Sequence, residues 1–336
     1  MYTSFRRKLI CLVLIVSLLM SLTTGCGTKD VTELMGSYAA SDNVVNYDIG
    51  AMQGASFAPL LSQWFICDVT EDMLAEDYVF DDAKPKQDGA VFVIDRTNNR
   101  LLFGYKMLSE LNPASITKLM TSLVVLKHCE PKETVTIDAE VAAMTRGSVA
   151  ELNEGDVITV YNLLIVLLTI SANNAALALA KHVAGSEAAF VEMMNDEIDH
   201  IGANKSHFEN CSGLHLEKHK TTPYDMYVVY QECMKYPEFR SIMQLTSGQY
   251  DYTNIQGEQC VRPYETTNCF KLGKYPYPEG IKILGGKTGT TNAAGYCLIL
   301  HVANSVGNEF LLGVFHCENE QKLYTKMADL LAQYCQ

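Results

Sequence analysis

Three short strings of polar residues occur in order along this chain of 336 residues: Ser115-Ile116-Thr117-Lys118, Ser171-Ala172-Asn173 and Lys287-Thr288-Gly289. A serine hydroxyl is a weak nucleophile until a neighbouring base removes its proton. A lysine can be that base when burial makes its neutral form accessible. Strings this short are common by chance in unrelated sequences, but the three together predict catalysis by a serine nucleophile with a lysine base.

The first string supplies the nucleophile and the base. Apolar periodicity predicts a helix over residues 115–126, directly after Asn112-Pro113-Ala114. Ser115 and Lys118 are three positions apart, which places their side chains on one face of a helix. Ser115 would also lie at the N-terminus of this helix, where backbone N–H groups favour an oxyanion.

The second string offers a proton carrier. The Ser171 hydroxyl can pass a proton to a leaving group, and the Asn173 amide can orient the lysine and a substrate carbonyl. A similar string, Ser41-Asp42-Asn43, lies upstream of Ser115 in a segment of low periodicity. We assign the role to Ser171 because it follows an apolar run and lies between the other two strings.

The third string predicts an edge strand that binds an extended peptide by strand addition. Lys287 would attract a terminal carboxylate, Thr288 and Thr290 would form hydrogen bonds with it, and Gly289 would allow close backbone approach. A phosphate-binding loop is disfavoured, since Ile281 stands where such a loop needs its first glycine.

The surrounding pattern predicts an α+β fold in which a helical block packs against a mainly antiparallel sheet. Asn98-Asn99 predicts the turn of a β-hairpin. The expected strands are residues 90–94, 101–105, 295–301 and 310–316. The expected helices are two buried ones within 160–184, joined at Ser171-Ala172-Asn173, one over 188–201 and one over 321–334.

The N-terminus has the features of an export signal. Arg6-Arg7-Lys8 precedes an apolar run of 14 residues, which is shorter than the ~20 that a membrane span needs. Cys26 follows small residues and resembles a bacterial lipidation site, although Thr23 replaces the usual leucine. We expect a signal peptide over 1–25 and a lipidated tether and lead-in over 26–86. Simple cleavage and an uncleaved anchor remain alternatives, and all three readings place the protein outside the cytoplasm.

The net charge, the cysteines and the histidines argue against a nucleic-acid-binding protein, a disulfide-rich protein and a metalloprotease. The formal net charge of −13 argues against a nucleic-acid partner. Nine cysteines follow the signal region without any CxxC pair, and we expect most of them to be unpaired apolar residues, with Cys260 and Cys269 as the favoured pair if one forms. His215 and His219 lack the adjacent glutamate of a metalloprotease helix, so we expect no metal and no cofactor.

The three strings, together with segments 113–121, 155–159, 210–215 and 286–296, resemble the D-alanyl-D-alanine carboxypeptidases, the low-molecular-mass penicillin-binding proteins. The resemblance implies the penicillin-binding/β-lactamase-like transpeptidase fold, with a catalytic domain over 87–336. It implies that Ser115 attacks the carbonyl between the last two D-alanines of a peptidoglycan stem peptide. Lys118 would be the base and Ser171 the proton donor, and the N–H groups of Ser115 and Thr290 would form the oxyanion hole. β-Lactams would acylate Ser115.

The chain departs from this family in several places. No arginine follows Arg262 to bind the substrate carboxylate, and Lys322 is the nearest candidate. Asn174 stands where aspartate is common, and no C-terminal β-sandwich domain is expected. A class A β-lactamase is disfavoured, because no Glu-x-x-Leu-Asn segment lies between the second and third strings. A non-catalytic module that binds penicillin or peptidoglycan remains an alternative.

Overall fold

The computed structural model describes residues 66–76, 78 and 89–336. The expected signal peptide, Cys26, the upstream Ser41-Asp42-Asn43 string and most of the 26–86 lead-in lie outside the described residues. The described end of the lead-in packs onto the rest of the protein, since Cys67 is buried and its backbone N–H donates to the Tyr227 hydroxyl at 2.8 Å.

A five-stranded sheet lies at the centre of the fold, and all of its strand pairs are antiparallel. Its strands, in their order across the sheet, are β2 (Arg100–Tyr105), β1 (Ala90–Asp95), β9 (Glu309–Cys317), β8 (Gly295–Ala303) and β7 (Lys282–Thr291), which leaves β7 at an edge as expected. The predicted hairpin is confirmed, with Asn99 in its turn at φ 51°.

Both faces of this sheet are covered, which explains why all six residues of β1 are buried. Successive side chains of a strand point to opposite faces. Val91 and Val93 pack in a cluster with Tyr324 of the last helix, whereas Phe92 and Ile94 belong to the larger cluster of the helical block. The sheet therefore forms the middle layer of a three-layer α+β structure.

Seven helices form the layer that contains Ser115 and Ser171, and an eighth covers the opposite face of the sheet in the described part of the chain. They are α1 (Lys118–His128), α2 (Ala139–Ala142), α3 (Val160–Ile165), α4 (Asn173–Ala184), α5 (Glu187–His200), α6 (Pro223–Cys233), α7 (Pro237–Gln244) and, on the opposite face of the sheet, α8 (Glu320–Tyr334). The helix expected over 115–126 begins as a 3-10 turn, Ala114–Thr117, before α1. Ala114 has φ 48° and the Ile116 N–H donates to the Pro113 carbonyl, so the chain is tightened there.

A second, four-stranded antiparallel sheet and the helices α6 and α7 were not predicted. This sheet contains β3 (Thr134–Thr136), β4 (Val157–Thr159), β5 (Ser247–Thr253) and β6 (Gln259–Glu265) in that order. Two of its strands have only three residues, and β6 buries Arg262 while it exposes Val261, so the apolar signal of this sheet is weak.

The cysteines behave as small packed residues. All nine in the described part of the chain are free, including Cys260 and Cys269. The described residues also contain no helix that is both long and apolar enough to cross a membrane.

Candidate active site

Ser115 and Lys118 lie side by side at the start of the helical block. The Lys118 ammonium donates to the Ser115 Oγ at 3.0 Å. Lys118 is fully buried, and burial lowers its pKa to about 7. Its neutral form is therefore accessible at neutral pH.

The other contacts of Lys118 determine where its lone pair points. Its Nζ also donates to Asn173 Oδ1 and to the Ser212 carbonyl oxygen, each at 2.7 Å. Both oxygens can only accept hydrogen bonds. When the lysine is neutral, its two remaining protons satisfy these acceptors and its lone pair is left facing the Ser115 hydroxyl. The arrangement suits a general base for Ser115.

Asn173 is fixed by the loop between α2 and β4. Its Nδ2 donates to the Arg146 carbonyl at 2.8 Å, and its backbone N–H donates to the Ser148 carbonyl at 2.7 Å. The neighbouring Asn174 accepts from the backbone N–H of Ala150 and donates to the carbonyl of the same residue, at 3.0 and 2.8 Å. A carboxylate could only accept, so an amide at position 174 matches both partners.

Ser171 is held by backbone geometry and by Lys287. The helix α3 continues as a π-helical turn, Val166–Ile170, and Ser171 ends it in the left-handed region at φ 65°. Such conformations in residues other than glycine are concentrated at functional sites. The Lys287 ammonium donates to the Ser171 Oγ and to the Thr288 carbonyl, both at 2.8 Å.

Lys287, which was predicted to attract a substrate carboxylate, lies behind the cleft wall and contacts Ser171 in this structure. Its side chain is fully buried. Burial lowers its pKa well below the usual value, and the positive charge of Lys118 lowers it further. Because side chains alternate along a strand, the inward direction of Lys287 leaves Thr288 and Thr290 to line the cleft.

Gly289 allows β7 to approach the nucleophile. A methyl group added at this position would lie 3.0 Å from the backbone nitrogens of both Ser115 and Ile116, and 3.1 Å from the Pro113 carbonyl oxygen. The close backbone approach that was predicted for Gly289 is therefore directed at Ser115 itself.

The loop that supplies the Ser212 carbonyl is braced by Asn210. Its Oδ1 accepts from the backbone N–H groups of Ser212 and Gly213, at 3.1 and 2.7 Å. Gly213 has φ +86°, and an added methyl group would lie only 1.8 Å from the Ala114 carbonyl oxygen. The loop thus packs against the residue that precedes Ser115.

His219 has a structural role next to the same loop. Its Nδ1 accepts from the Glu209 N–H at 3.1 Å, so its Nε2 carries the proton and donates to Thr117 Oγ1 at 2.9 Å. Burial lowers its pKa to about 4, which keeps the ring neutral. Both ring nitrogens of His219 are engaged within the protein.

A cleft of about 250 Å³ connects these elements. It is lined by Ser115, Ser171, Asn173, Thr288, Gly289 and Thr290 among others, and the two buried lysines lie directly behind the two serines. The structure therefore brings all eight predicted site residues of the described chain together. Cys26 lies outside the described residues.

Lys322, the expected substitute for a carboxylate-binding arginine, does not line this cleft. Its ammonium donates to the Glu318 carboxylate at 2.6 Å, one helical turn earlier. Where α8 borders the cleft, it contributes Glu320, Leu323 and Tyr324.

The sequence analysis did not identify Thr267, whose hydroxyl lies 2.5 Å from that of Thr288 at the cleft wall. Thr267 belongs to no recognisable sequence motif, so only its position in the folded protein identifies it as a cleft residue.

The fold is that of the penicillin-binding serine DD-peptidases. A mutant of a Streptomyces DD-transpeptidase superimposes with a TM-score of 0.67 at 22% identity, covering 72% of this chain and 95% of that chain. A D-alanyl-D-alanine carboxypeptidase from Mycobacterium tuberculosis gives a TM-score of 0.65 at 24% identity, covering 79% and 95%. At these identities the likeness concerns the fold, and it confirms the predicted fold class.

The chain belongs to the D-alanyl-D-alanine carboxypeptidase family of peptidases, whose family model matches residues 81–315. The D-alanyl-D-alanine carboxypeptidase DacF of Bacillus subtilis is 32% identical over 210 residues, which are 61% of this chain and 51% of the relative. The D-alanyl-D-alanine carboxypeptidase DacD of Escherichia coli is 28% identical over 246 residues, or 70% and 60% of the two chains. The match thus spans less than two thirds of each of these relatives.

Proposed function

We propose that this protein is a serine-type D-Ala-D-Ala carboxypeptidase that removes the terminal D-alanine from peptidoglycan stem peptides. The observation that carries the proposal is the position of Lys118, buried between two obligate acceptors with its third contact on Ser115. Family membership supports the same chemistry.

In the acylation step, neutral Lys118 accepts the Ser115 proton as Ser115 Oγ attacks the carbonyl carbon of the penultimate D-alanine. The negative charge that develops on the carbonyl oxygen is stabilised by the backbone N–H groups of Ser115 and Thr290. The closeness of Gly289 to the Ser115 nitrogen supports this pairing, because it brings β7 beside the nucleophile.

Ser171 delivers a proton to the departing amine. Its hydroxyl receives a hydrogen bond from Lys287 at 2.8 Å, so the lysine can replace the proton that the hydroxyl gives away. The C–N bond then breaks, free D-alanine leaves and Ser115 holds an acyl ester. Water hydrolyses this ester, which restores the Ser115 hydroxyl and releases the shortened peptide. Lys118 gives the proton that it accepted to solvent and Lys287 takes one up, so both lysines return to their starting states.

The substrate carboxylate binds through hydroxyl groups in this proposal. Thr267, Thr288 and Thr290 line the cleft, and no lysine or arginine side chain lines it among the residues that the structure describes. β-Lactams resemble the terminal dipeptide and acylate Ser115 in its place, which makes them inhibitors.

The location of the protein is proposed from its N-terminus. We assign residues 1–25 to a signal peptide, 26–86 to a tether lipidated at Cys26 and 87–336 to the catalytic domain. This arrangement places the enzyme on the outer face of the bacterial cell membrane, beside its substrate. Arg6-Arg7-Lys8 and the apolar run after them support the export signal.

The proposal predicts that the purified protein releases free D-alanine from a peptide ending in D-Ala-D-Ala and not from a matched peptide ending in D-Ala-L-Ala. Penicillin should block the release at one equivalent per protein. Penicillin labelling without D-alanine release would favour a binding module and contradict the proposal. Rapid penicillin hydrolysis without D-alanine release would point to a β-lactamase and contradict it equally.

A further inference from the structure

Three potential metal ligands converge at a place that the proposed reaction does not use. A thiol sulfur of Cys129, a carboxylate oxygen of Glu133 and an imidazole nitrogen of His182 all lie within 4.8 Å of one another. Cys129 directly follows α1 and His182 lies in the last turn of α4. The first residues of the same two helices are Lys118 and Asn173, so the cluster lies roughly 15 Å from the active site along these helices.

The carboxylate of this cluster is held in place by the backbone. One Glu133 oxygen accepts from the Glu130 N–H at 2.6 Å, and the other lies 2.9 Å from His182 Nε2. The Glu133 carbonyl accepts from the Val160 N–H at 2.8 Å. Glu133 therefore presents one oxygen to His182 in a fixed position.

An ion pair would account for His182 and Glu133 but not for Cys129. The Cys129 thiol is half-buried and free of any disulfide, and no other described side chain forms a hydrogen bond with it. It instead lies within 4.8 Å of the Glu133 carboxylate and the His182 imidazole, where all three groups can contact a single cation. The negative dipole ends of α1 and α4 also meet here, which adds to the attraction for a cation.

We propose, in departure from the expectation that no metal is bound, that Cys129, Glu133 and His182 bind a zinc ion. Zinc accepts thiolate, imidazole and carboxylate ligands together, at roughly 2.0–2.3 Å. Ligand atoms around such an ion are separated by roughly 3.5 Å, so small side-chain rotations suffice to close the observed cluster. Cys129 releases its thiol proton to solvent on binding, and two anionic ligands balance the charge of the ion.

Water can occupy the fourth position of a tetrahedral zinc ion here. The side chains of Glu133 and His182 are 41% and 23% exposed, so both water and the ion have access. The bound ion would join the C-terminal ends of α1 and α4. Since the N-terminal ends of these helices carry Lys118 and Asn173, the site would stabilise the scaffold of the active site without contacting substrate.

Zinc titration of the full-length, reduced, metal-free protein tests this proposal. At free zinc about 100-fold above its dissociation constant, we expect the midpoint of thermal unfolding to rise by roughly 5 °C. Cobalt(II) should give the near-ultraviolet absorption of a thiolate–cobalt bond. The variants Cys129→Ser and His182→Gln should each weaken zinc binding by at least about 100-fold in calorimetry.

Matched variants separate this site from other thiols and histidines. Cys260 is also half-buried and free, so Cys260→Ser should retain the wild-type zinc affinity, as should His200→Gln. The proposal is overturned if zinc produces no shift in wild type, or if Cys129→Ser binds zinc and shows the cobalt–thiolate band like wild type. These readouts do not depend on D-alanine release, so this proposal and the proposed function can fail separately.

Discussion

Replacing Lys118 by methionine is expected to slow acylation by penicillin between about 10²- and 10⁴-fold, the range that a general base contributes. Methionine fills much of the same buried space but has no lone pair for the Ser115 proton. The measurement is the rate of covalent labelling under single-turnover conditions. Lys127→Met is the matched control, because Lys127 lies in the same helix but pairs with Glu197 on the outside. A Lys118→Met variant that is labelled at the wild-type rate would contradict the assignment of the base.

The assignment of Lys118 as the base also determines how the rate of penicillin labelling depends on pH. Burial lowers the Lys118 pKa to about 7, and only the neutral form accepts a proton. The labelling rate should therefore fall about tenfold per pH unit below that pKa and level off above it. In Asn173→Asp, a carboxylate would replace the amide oxygen that lies 2.7 Å from Lys118 Nζ, stabilise the ammonium and move the rise in rate to higher pH. A rate that instead decreases as the pH rises through 7 would mean that Lys118 acts as a cation.

The variant Gly213→Ala is expected to lower acylation by at least about 10²-fold, because an error of about 1 Å in a reacting group can have an effect of that size. The added methyl group would lie 1.8 Å from the Ala114 carbonyl oxygen. The loop and the 3-10 turn must therefore separate. This movement displaces the Ser212 carbonyl from Lys118 and shifts Ser115.

Gly257→Ala provides the control for backbone strain. Gly257 has φ +82°, close to the +86° of Gly213, but no atom lies within 4 Å of its added methyl group. Gly257→Ala should lose about 1–2 kcal/mol of unfolding free energy, the cost of a left-handed alanine, and Gly213→Ala should lose more because of the clash with Ala114. Only Gly213→Ala should lose acylation. Equal labelling rates in the two variants would show that the contact with Ala114 does not position Ser115.

Sequence patterns predicted the parts of the fold that have strong local signals. Apolar periodicity or characteristic turn residues mark three elements: the hairpin around Asn99, the buried run that ends at Ser171 and the edge strand with Lys287. The three polar strings likewise predicted which side chains could act together, because their chemistry is complementary. Their meeting in one cleft is a property of the fold that the patterns alone do not contain.

Other features depend on contacts between distant segments. The inward direction of Lys287 follows from the register of β7 against β8 and from the buried Ser171 beside it. The Ser212 carbonyl is a backbone group with no signature in residue type. Thr267 contacts Thr288, and Cys129 lies beside His182. The residues of each pair are far apart in sequence and share no motif. Tertiary packing alone brings these groups together.

The central claim, that Ser115 is the nucleophile activated by Lys118, is tested most directly by intact-mass analysis after penicillin treatment. The wild-type protein should gain the mass of one penicillin molecule, and peptide mapping should place it on Ser115. Ser115→Ala should gain none, while retaining the wild-type unfolding midpoint. An adduct on both proteins, or on neither, would contradict the account.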